Sequence, residues 1–444
     1  MTAEELAACV AESITQASTL FIGTLDEPVR RHAAHVVADT IGVSIAGGRT
    51  AEMTRLRENA DELGGAVPGT GGATVLVAGA APVSAEQAAF LNGAAGGFLE
   101  LDEGTRPTGH PAMHIVPAAL AAAEVAHRPG TELLEAVVAG YEVSARLFAA
   151  FQLRPPTHPH GHLAGVGAAV SVALLLGEDP AAVAAIAATT PTVPVWNACY
   201  AGATARNTAM GLSAQAALRA IRLHRAGFTG TLESVPALFG EVTGKPVDID
   251  ALTAAADPAR PRILRNYFKR HSACALTHGA VDAVLSMPAV PVDSIRSVEV
   301  RTVANNLKLD RQAAPNDLSA RFSLPYTVAA ALTRRESTPA TFDYDPTVAR
   351  LAEKVRVTLA SELDRSWPEH APTEVVVHAQ GSVAATVQDP RGHHHDPLSA
   401  DELRAKFTDL VGDIAPELWD RLLGLAALDD CAEALRPLRL VKPV

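Results

Sequence analysis

Two alanine-rich, near-apolar runs enclose a short segment that is crowded with ionisable side chains. The runs cover residues 85–99 and 115–126, and each is long enough for several helical turns. The Gly- and Pro-broken segment between them carries five ionisable residues: Asp102, Glu103, Arg106, His110 and His114. Ionisable groups rarely lie between buried helices, because desolvating a charge costs free energy. Two interpretations stay open: a loop whose charges face water, or a buried anion or proton-transfer site.

The composition favours closely packed helices over a β-sandwich. Hydrophobic residues make up 48% of the 444 residues but aromatic residues only 4%, so alanine supplies much of the apolar share. Alanine is the strongest helix former, whereas strands are enriched in aromatic and β-branched residues. The formal net charge of −12 argues against nucleic acid or an anionic membrane as a partner.

Cellular context is also indicated by the sequence. The start, residues 1–10, has no basic cluster, and the apolar run 168–177 is too short to span a bilayer. The four cysteines are far apart and form no C-x-x-C pair, which excludes a zinc ribbon and disfavours an iron–sulfur cluster. We therefore expect a reduced, cytoplasmic protein.

Hydrophobic periodicity predicts a mainly α protein with an α+β lid. Residues 1–258 are typical of helices, which we place at 85–99, 117–126, 133–151, 165–176 and 209–224. Residues 259–395 contain alternating β-branched segments at 295–303, 355–359, 374–379 and 382–387. Residues 396–444 are helical again. The sequence therefore predicts a large, discontinuous helical domain that is interrupted by a smaller α+β domain.

Capping signals fix several helix starts. Thr2 with Glu5, and Ser399 with Glu402, have the spacing of a capping box. Pro28, two residues after Asp26, predicts the start of another helix, which should end at the glycines 47–48.

A second cluster contains histidines at alternate positions. His158, His160 and His162 would face one side of a strand, as in some metal sites. Prolines precede them and an apolar helix follows, so a helix N-terminus that binds an anion is the better interpretation. A metal-dependent hydrolase built on the three imidazoles remains an alternative.

Four further residues and one loop are candidates only in context. Arg206 begins a helix in apolar surroundings and is either a surface residue or an anion ligand. Lys269 and Cys274 lie in the segment FKRHSACALTH, which is either a solvated linker or part of a site. Tyr326 either packs or donates a proton. The loop at 392–396, GHHHD, is expected to face solvent.

The order of these clusters resembles the MmgE/PrpD family nearly end to end. Five segments carry the resemblance: ADTIGVSIAGG (38–48), AAFLNGAAGGFLELDEGTRPTGHP (88–111), HPHGHLAGVGAAVSVALLLG (158–177), FKRHSACALTHGAVDAVL (268–285) and FSLPYTVAAAL (322–332). The resemblance implies a homodimer in which each subunit has a helical domain and an α+β lid. It places the active site in the cleft between them, with no metal and no organic cofactor.

The resemblance also assigns residues to that cleft. Positions that match the family pattern are Asp102, Thr105, His110, His158, Lys269 and Tyr326; Arg206 stands where some members have Lys, and Cys274 where some have His. This chain departs from many relatives at four positions, which concern the substrate more than the fold: Gly97, Glu103, Thr105 and His160.

The family's reactions make or quench negative charge on a carbon next to a carboxylate. The resemblance therefore implies a cofactor-free lyase on a small di- or tricarboxylate, with dehydration favoured over isomerisation, epimerisation or decarboxylation. We expect Arg206, Lys269 and Arg106 to bind substrate carboxylates. We expect His158 or His110 to be the base, Asp102 to orient one imidazole, and Tyr326 to be the proton donor. A non-catalytic carboxylate-binding homologue is the alternative from another class.

Overall fold

The computed structural model describes residues 1–58 and 72–440. It is mainly helical with a smaller α+β part, so the predicted fold class is confirmed. Two large hydrophobic cores organise these residues. One core combines apolar residues from 10–268 with residues from 403–438, so both ends of the chain pack together. The other core combines apolar residues from 273–377 with Cys199. The domain boundaries remain predictions, and residues 441–444 of the predicted returning part lie outside the described residues.

The helical part is built from elements in the first half of the chain and after residue 399. Its helices are α1 (Ala3–Leu20), α2 (Glu27–Gly47), α3 (Ala51–Glu58), α4 (Ala85–Gly96), α5 (Pro111–Val125), α6 (Gly130–Ala150), α7 (Leu163–Leu176), α8 (Pro180–Thr189), α9 (Trp196–Ala201), α10 (Thr208–Arg225) and α11 (Asp250–Thr253). In the later part of the chain, after the α+β segment, it continues with α17 (Ala400–Val411), α18 (Ala415–Leu423) and α19 (Arg436–Leu440).

The α+β part contains a four-stranded sheet and short helices. The helices are α12 (His278–Ser286), α13 (Asp317–Arg321), α14 (Leu324–Arg334), α15 (Pro346–Ala352) and α16 (Ser361–Asp364). The strands are β3 (Ser297–Thr302), β4 (Val355–Leu359), β5 (Thr373–His378) and β6 (Ser382–Val387), in the order β4-β3-β5-β6. β3 runs parallel to β4 and antiparallel to β5, and β5 is antiparallel to β6. Alternate residues of β3 and β5 are buried, as the sequence alternation predicted.

Small residues allow the helices to pack closely. A Cβ added to Gly140 in α6 would collide with the main chain of Gly167 in α7, and the reverse substitution would collide as well. Both predicted capping boxes are present, at Thr2 and Ser399. None of the helices in residues 1–58 and 72–440 is long and apolar enough to cross a membrane.

Two local expectations were wrong. Helix α5 begins at Pro111 rather than at 117, because Pro111 occupies its first turn and the Glu103 carboxylate accepts a hydrogen bond from Ala112 N (2.7 Å). A short antiparallel pair, β1 (Phe151–Leu153) with β2 (Gly244–Pro246), also interrupts the first part of the chain. Strands of three residues are too short to produce a recognisable alternation.

Candidate active site

An inner cavity of about 70 Å³ lies between the two cores and borders a wider cleft of about 770 Å³. Its walls come from the helical part, the segment near residue 270 and the α+β part. Six of the predicted site residues line it: Thr105, Arg106, His110, His158, Arg206 and Cys274. Asp102 and Glu103 are fully buried. The interpretation of the 101–114 segment as a loop whose charges face water is therefore excluded for these two residues.

Four buried ionic side chains form a continuous array that ends at His110. Arg206 pairs with Glu100, and Lys269 Nζ lies 3.4 Å from Glu100 Oε2. Lys269 Nζ is also 3.0 Å from Asp102 Oδ1, and Asp102 Oδ2 is 2.8 Å from His110 Nδ1. The two cations and two carboxylates balance, which makes burial of the array tolerable.

The array fixes the ionisation of its members. Burial alone would raise the pKa of Asp102, but the charges of Lys269 and His110 outweigh it and hold that pKa well below its usual value. Burial would lower the pKa of Lys269, and the charges of Asp102 and Glu100 reverse the effect and raise it. Asp102 is therefore a carboxylate and Lys269 an ammonium at neutral pH.

His110 is held by its Nδ1 atom. This nitrogen lies 2.8 Å from both Asp102 Oδ2 and the main-chain oxygen of Glu103, and the hydrogen bond is directed at the latter. The proton is therefore on Nδ1, and Nε2 makes no hydrogen bond within the described residues. The ring stacks on His160, with 4.5 Å between centroids.

The alternate histidines do not form the metal site that was considered. His162 Nε2 donates to His158 O (2.7 Å), and His162 Nδ1 accepts from Leu163 N (2.8 Å), so neither nitrogen is available to a metal. His158 and His160 instead stack at 4.5 Å and approach Arg206 Nη2 through their Nε2 atoms, at 3.5 and 3.3 Å. Burial, followed by the charge of Arg206, lowers both pKa values well below the ordinary value.

Another possible metal group can be tested from its surroundings. Asp102, His110 and His160 each bring one ligand atom to within 4.8 Å of the others. Lys269 contacts Asp102 and Arg206 contacts His160, so a metal cation there would meet two fixed positive charges. The donor set does not suit a metal.

Two buried groups support the loop that carries His110. His114 Nδ1 donates to His110 O (2.7 Å), and His114 Nε2 accepts from Gly161 N (2.8 Å). Burial lowers the pKa of His114 to about 3, so the ring is neutral. The resemblance placed Glu103 near the substrate. Its carboxylate instead accepts hydrogen bonds from Ala112 N at the start of α5 and from the Tyr141 hydroxyl (2.9 Å). Burial raises its pKa to about 8.

The predicted substrate ligands are mostly engaged with protein groups. Arg206 and Lys269 are neutralised by the array, and Arg106 pairs with Asp389 (3.0 Å). Thr105 lines the cavity. Burial raises the pKa of Cys274 to about 12, so its thiol forms an uncharged part of the wall.

Tyr326, which was expected to be the proton donor, has its hydroxyl bonded to the main chain. Its hydroxyl donates to Asp343 O (2.7 Å) and accepts from Asp345 N (2.7 Å), while its ring stacks on Tyr344. These bonds anchor α14 to the segment after it, and Tyr326 is absent from the described lining of the cavity. Its hydroxyl is occupied by the main chain.

Three residues of the site were missed: Glu100, Tyr267 and Lys308. Glu100 has φ +50°, and its position two residues before Asp102 was the one available signal. Lys308 lines both the cavity and the cleft, and was not singled out from the sequence. Among the lysines and arginines that line the cavity in the described part of the chain, Lys308 has no carboxylate partner.

The fold and the site define a mainly helical protein with a smaller α+β part and a buried ionic array at its candidate active site. The MmgE/PrpD N-terminal domain model matches residues 14–240 and the C-terminal domain model matches residues 271–424. The chain therefore belongs to the MmgE/PrpD family. It is also similar to the Homo sapiens protein cis-aconitate decarboxylase, with 25% identity over 459 residues, 93% of this chain and 91% of that protein. Together these relationships point to an enzyme with lyase-type chemistry on a carboxylic acid.

Proposed function

We propose that the protein is a cofactor-free lyase in which His110 moves a proton at a carbon next to a carboxylate of a small di- or tricarboxylate. The observation that carries the proposal is the contact between His110 Nδ1 and the buried Asp102 carboxylate at the cavity wall. The hydrogen bond from Nδ1 to Glu103 O fixes the tautomer, and the Asp102 carboxylate beside the same nitrogen stabilises the imidazolium formed when Nε2 takes a proton.

His110 suits this role better than His158. Arg206 lies 3.5 Å from His158 Nε2, and burial together with that positive charge lowers the pKa of His158 well below its ordinary value. A base is most effective when its pKa is close to the working pH. His158 is therefore assigned to the neutral wall of the cavity and His110 to proton transfer.

Lys308 and His160 are the groups that we assign to substrate binding. Lys308 Nζ donates to Asn305 Oδ1 (2.6 Å) and lies 6.0 Å from the centre of the Trp196 ring. An ammonium without a carboxylate partner is available to a substrate carboxylate. His160 Nε2 accepts from Arg206, so its Nδ1 carries the proton, and this buried atom has no partner within the described residues. A bound oxygen atom would satisfy it.

Replacing Lys308 with methionine is expected to raise KM by about tenfold and to change kcat by less than threefold, because a carboxylate contact contributes mainly to binding. Steady-state kinetics measure both constants. The matched control is Lys245→Met, a change of an exposed lysine in β2. An unchanged KM in Lys308→Met would exclude a carboxylate contact at this position.

Decarboxylation is the first candidate among the possible lyase reactions. In it, the bond to one carboxyl carbon breaks, CO₂ leaves, and the electron pair moves through a neighbouring double bond to a carbon that takes one proton from Nε2 of the His110 imidazolium. The neutral ring then takes a new proton at Nε2 from water before the next turnover. One acid–base group is enough. Dehydration also needs an acid for the departing hydroxyl, and Tyr326, which was expected to supply it, is bonded to the main chain. The similarity to a cis-aconitate decarboxylase supports the same order.

Dehydration is the second candidate, with Tyr267 as the acid. This tyrosine lines the cavity, and its ring meets the His110 ring edge-on at 6.3 Å between centroids. Burial, followed by the charge of Asp102, raises the pKa of Tyr267 well above its ordinary value, so its hydroxyl keeps its proton at neutral pH.

Proton NMR in deuterated water distinguishes the reactions on a panel of aconitate-, citrate- and aspartate-type acids. We expect loss of CO₂ and one deuterium in the product for a decarboxylase, and loss of water from a hydroxy acid for a dehydratase. Deuterium exchange without a change of skeleton would indicate an isomerase or epimerase and overturn the lyase proposal. Binding of an acid without any reaction would indicate the non-catalytic alternative.

A further inference from the structure

The histidine run at 393–395 is not the solvent-facing loop that the sequence predicted. His393 is 2% exposed, lines the inner cavity and bridges to Tyr267 through the main chain. His394 is half-buried and lines the outer cleft, and His395 is the most exposed of the three. The prediction for this loop was wrong because its neighbours in space, which are distant in sequence, enclose it.

The three imidazoles converge around one point. One ring nitrogen of each lies within 4.8 Å of the others. The ring centroid of His394 lies 4.2 Å from that of His393 and 4.0 Å from that of His395. A carboxylate completes the group, since Glu369 Oε1 lies 2.8 Å from His395 Nε2 and 3.8 Å from His394 Nε2.

Two nitrogens of this cluster are buried without a hydrogen-bond partner in the described part of the chain. They are His393 Nε2 and His394 Nδ1. Leaving a buried polar atom unpaired costs free energy, and two such atoms side by side indicate an absent ligand.

We propose that His393, His394, His395 and Glu369 bind one divalent transition-metal ion of the Zn²⁺, Co²⁺ or Ni²⁺ class. Imidazole nitrogens with one carboxylate oxygen suit these ions, whereas Mg²⁺ and Ca²⁺ require more oxygen ligands. Two nitrogens on a tetrahedral Zn²⁺ lie about 3.4 Å apart, so ring nitrogens within 4.8 Å of one another must close by up to about 1.4 Å. The exposed His395 and half-buried His394 have room for this movement.

Nearby charged side chains compete with a metal ion for the proposed ligands. Arg265 Nη2 lies 2.6 Å from Glu369 Oε2, and both side chains are more than half exposed. Asp389 Oδ1 lies 3.5 Å from His393 Nδ1, but this carboxylate is already paired with Arg106 and with His370 Nδ1, so it is not part of the proposed ligand set. Removing Arg265 would free Glu369 for the metal. The Arg265→Ala variant is therefore expected to bind Zn²⁺ more tightly than the wild type.

The position of the cluster indicates a structural role for the metal. His393 belongs to the cavity wall, and Glu369 follows Trp367, which lines the same cavity. A metal that joins them would fix two segments of that wall to each other. The ion would not touch the Asp102–His110 pair, so the site is independent of the proposed proton transfer.

Isothermal titration of metal-stripped, untagged protein with ZnCl₂ tests the proposal. We expect one equivalent per chain, at least tenfold weaker binding in His394→Ala/His395→Ala, and several-fold tighter binding in Arg265→Ala. The controls are His127→Ala/His224→Ala and Arg260→Ala, which change side chains outside the cluster. Equal affinity in the wild type and His394→Ala/His395→Ala would overturn the proposal.

A second measurement guards against loss of folding. Saturating Zn²⁺ is expected to raise the Tm of the wild type and of His110→Ala, but not that of His394→Ala/His395→Ala. Visible absorption of the Co²⁺ complex reports imidazole coordination directly. If His110→Ala removes the metal while His394→Ala/His395→Ala keeps it, the ion binds at Asp102, His110 and His160, and the proposed site is wrong. These readouts do not depend on turnover, so their failure leaves the proposed lyase function untouched.

Discussion

The His110→Ala variant is expected to lose at least ~100-fold in kcat while it keeps its fold, the usual scale for a positioned acid–base group. The physical reason is the geometry at Nδ1, where the Asp102 carboxylate lies 2.8 Å away and leaves Nε2 for the substrate. Steady-state kinetics measure the loss, and circular dichroism with thermal melting checks the fold.

The chain offers a matched control for this prediction. His127 Nδ1 also lies 2.8 Å from a carboxylate, that of Asp430, but the pair is on the surface, with His127 72% exposed. His127→Ala should therefore keep wild-type kcat. Turnover of His110→Ala within threefold of the wild type would remove His110 from the mechanism. A large loss in His158→Ala together with a small one in His110→Ala would transfer the role to His158.

The Lys269→Met variant is expected to lose about 3–5 kcal/mol of unfolding free energy at pH 7, together with its activity. Lys269 is 1% exposed, and its removal leaves Glu100 and Asp102 as buried carboxylates with one cation, Arg206, between them. An uncompensated buried charge costs this much because neither water nor a counter-ion solvates it. Urea unfolding followed by fluorescence measures the difference.

The same loss should depend on pH in a defined direction. In the wild type the pKa of Asp102 is depressed, so its contribution is present above the unfolded value near ~4 and is lost as the pH falls further. Without Lys269, burial raises this pKa, so the variant gains a proton more easily and is stabilised by acid. The stability difference should be largest near neutral pH and should shrink toward pH ~4.

Replacing both Lys269 and Asp102 distinguishes the effect of the unpaired charge on stability from the effect of lost side-chain packing. The Lys269→Met/Asp102→Asn variant is expected to recover about 2 kcal/mol relative to Lys269→Met, because the unpaired charge is gone, but to stay inactive. Lys245→Met, an exposed change, should have no effect on stability. Wild-type stability of Lys269→Met at pH 7 would show that the buried array does not contribute in the way described.

Local chemistry made much of the fold predictable. Thr2 and Glu5 bond each other's main chain as a capping box requires, and the alternation at 355–359 and 382–387 became β4 and β6 with the predicted bounds. These features depend on residues within a few positions of each other, and their energies act whatever the rest of the chain does. The three-residue β1–β2 pair was missed because its pairing joins positions that are distant in sequence.

Side-chain partners were less predictable, because a motif gives the residue type but not its neighbour. Arg206 and Lys269 were expected to bind substrate, yet Glu100 neutralises the first and shares the second with Asp102. Tyr326 matches the family pattern, but its hydroxyl is used by the main chain around residues 343–345. Lys308 was not singled out from the sequence, since its importance comes from its position in the cavity wall, where among the described residues it is the lining cation without a carboxylate partner.

The sequence alone determined the helical character, the α+β lid, the family and the set of ionisable residues from which the site is built, because periodicity, capping and residue type are local properties. The tertiary structure decided which charges cancel, which imidazole keeps a free nitrogen next to a carboxylate, and that the run 393–395 is enclosed. Those outcomes depend on distances between segments that are far apart in the sequence, such as Lys269 and Glu100 (169 positions) or Arg106 and Asp389 (283 positions). Desolvation makes such pairings decisive, since a buried charge is tolerated only beside its partner.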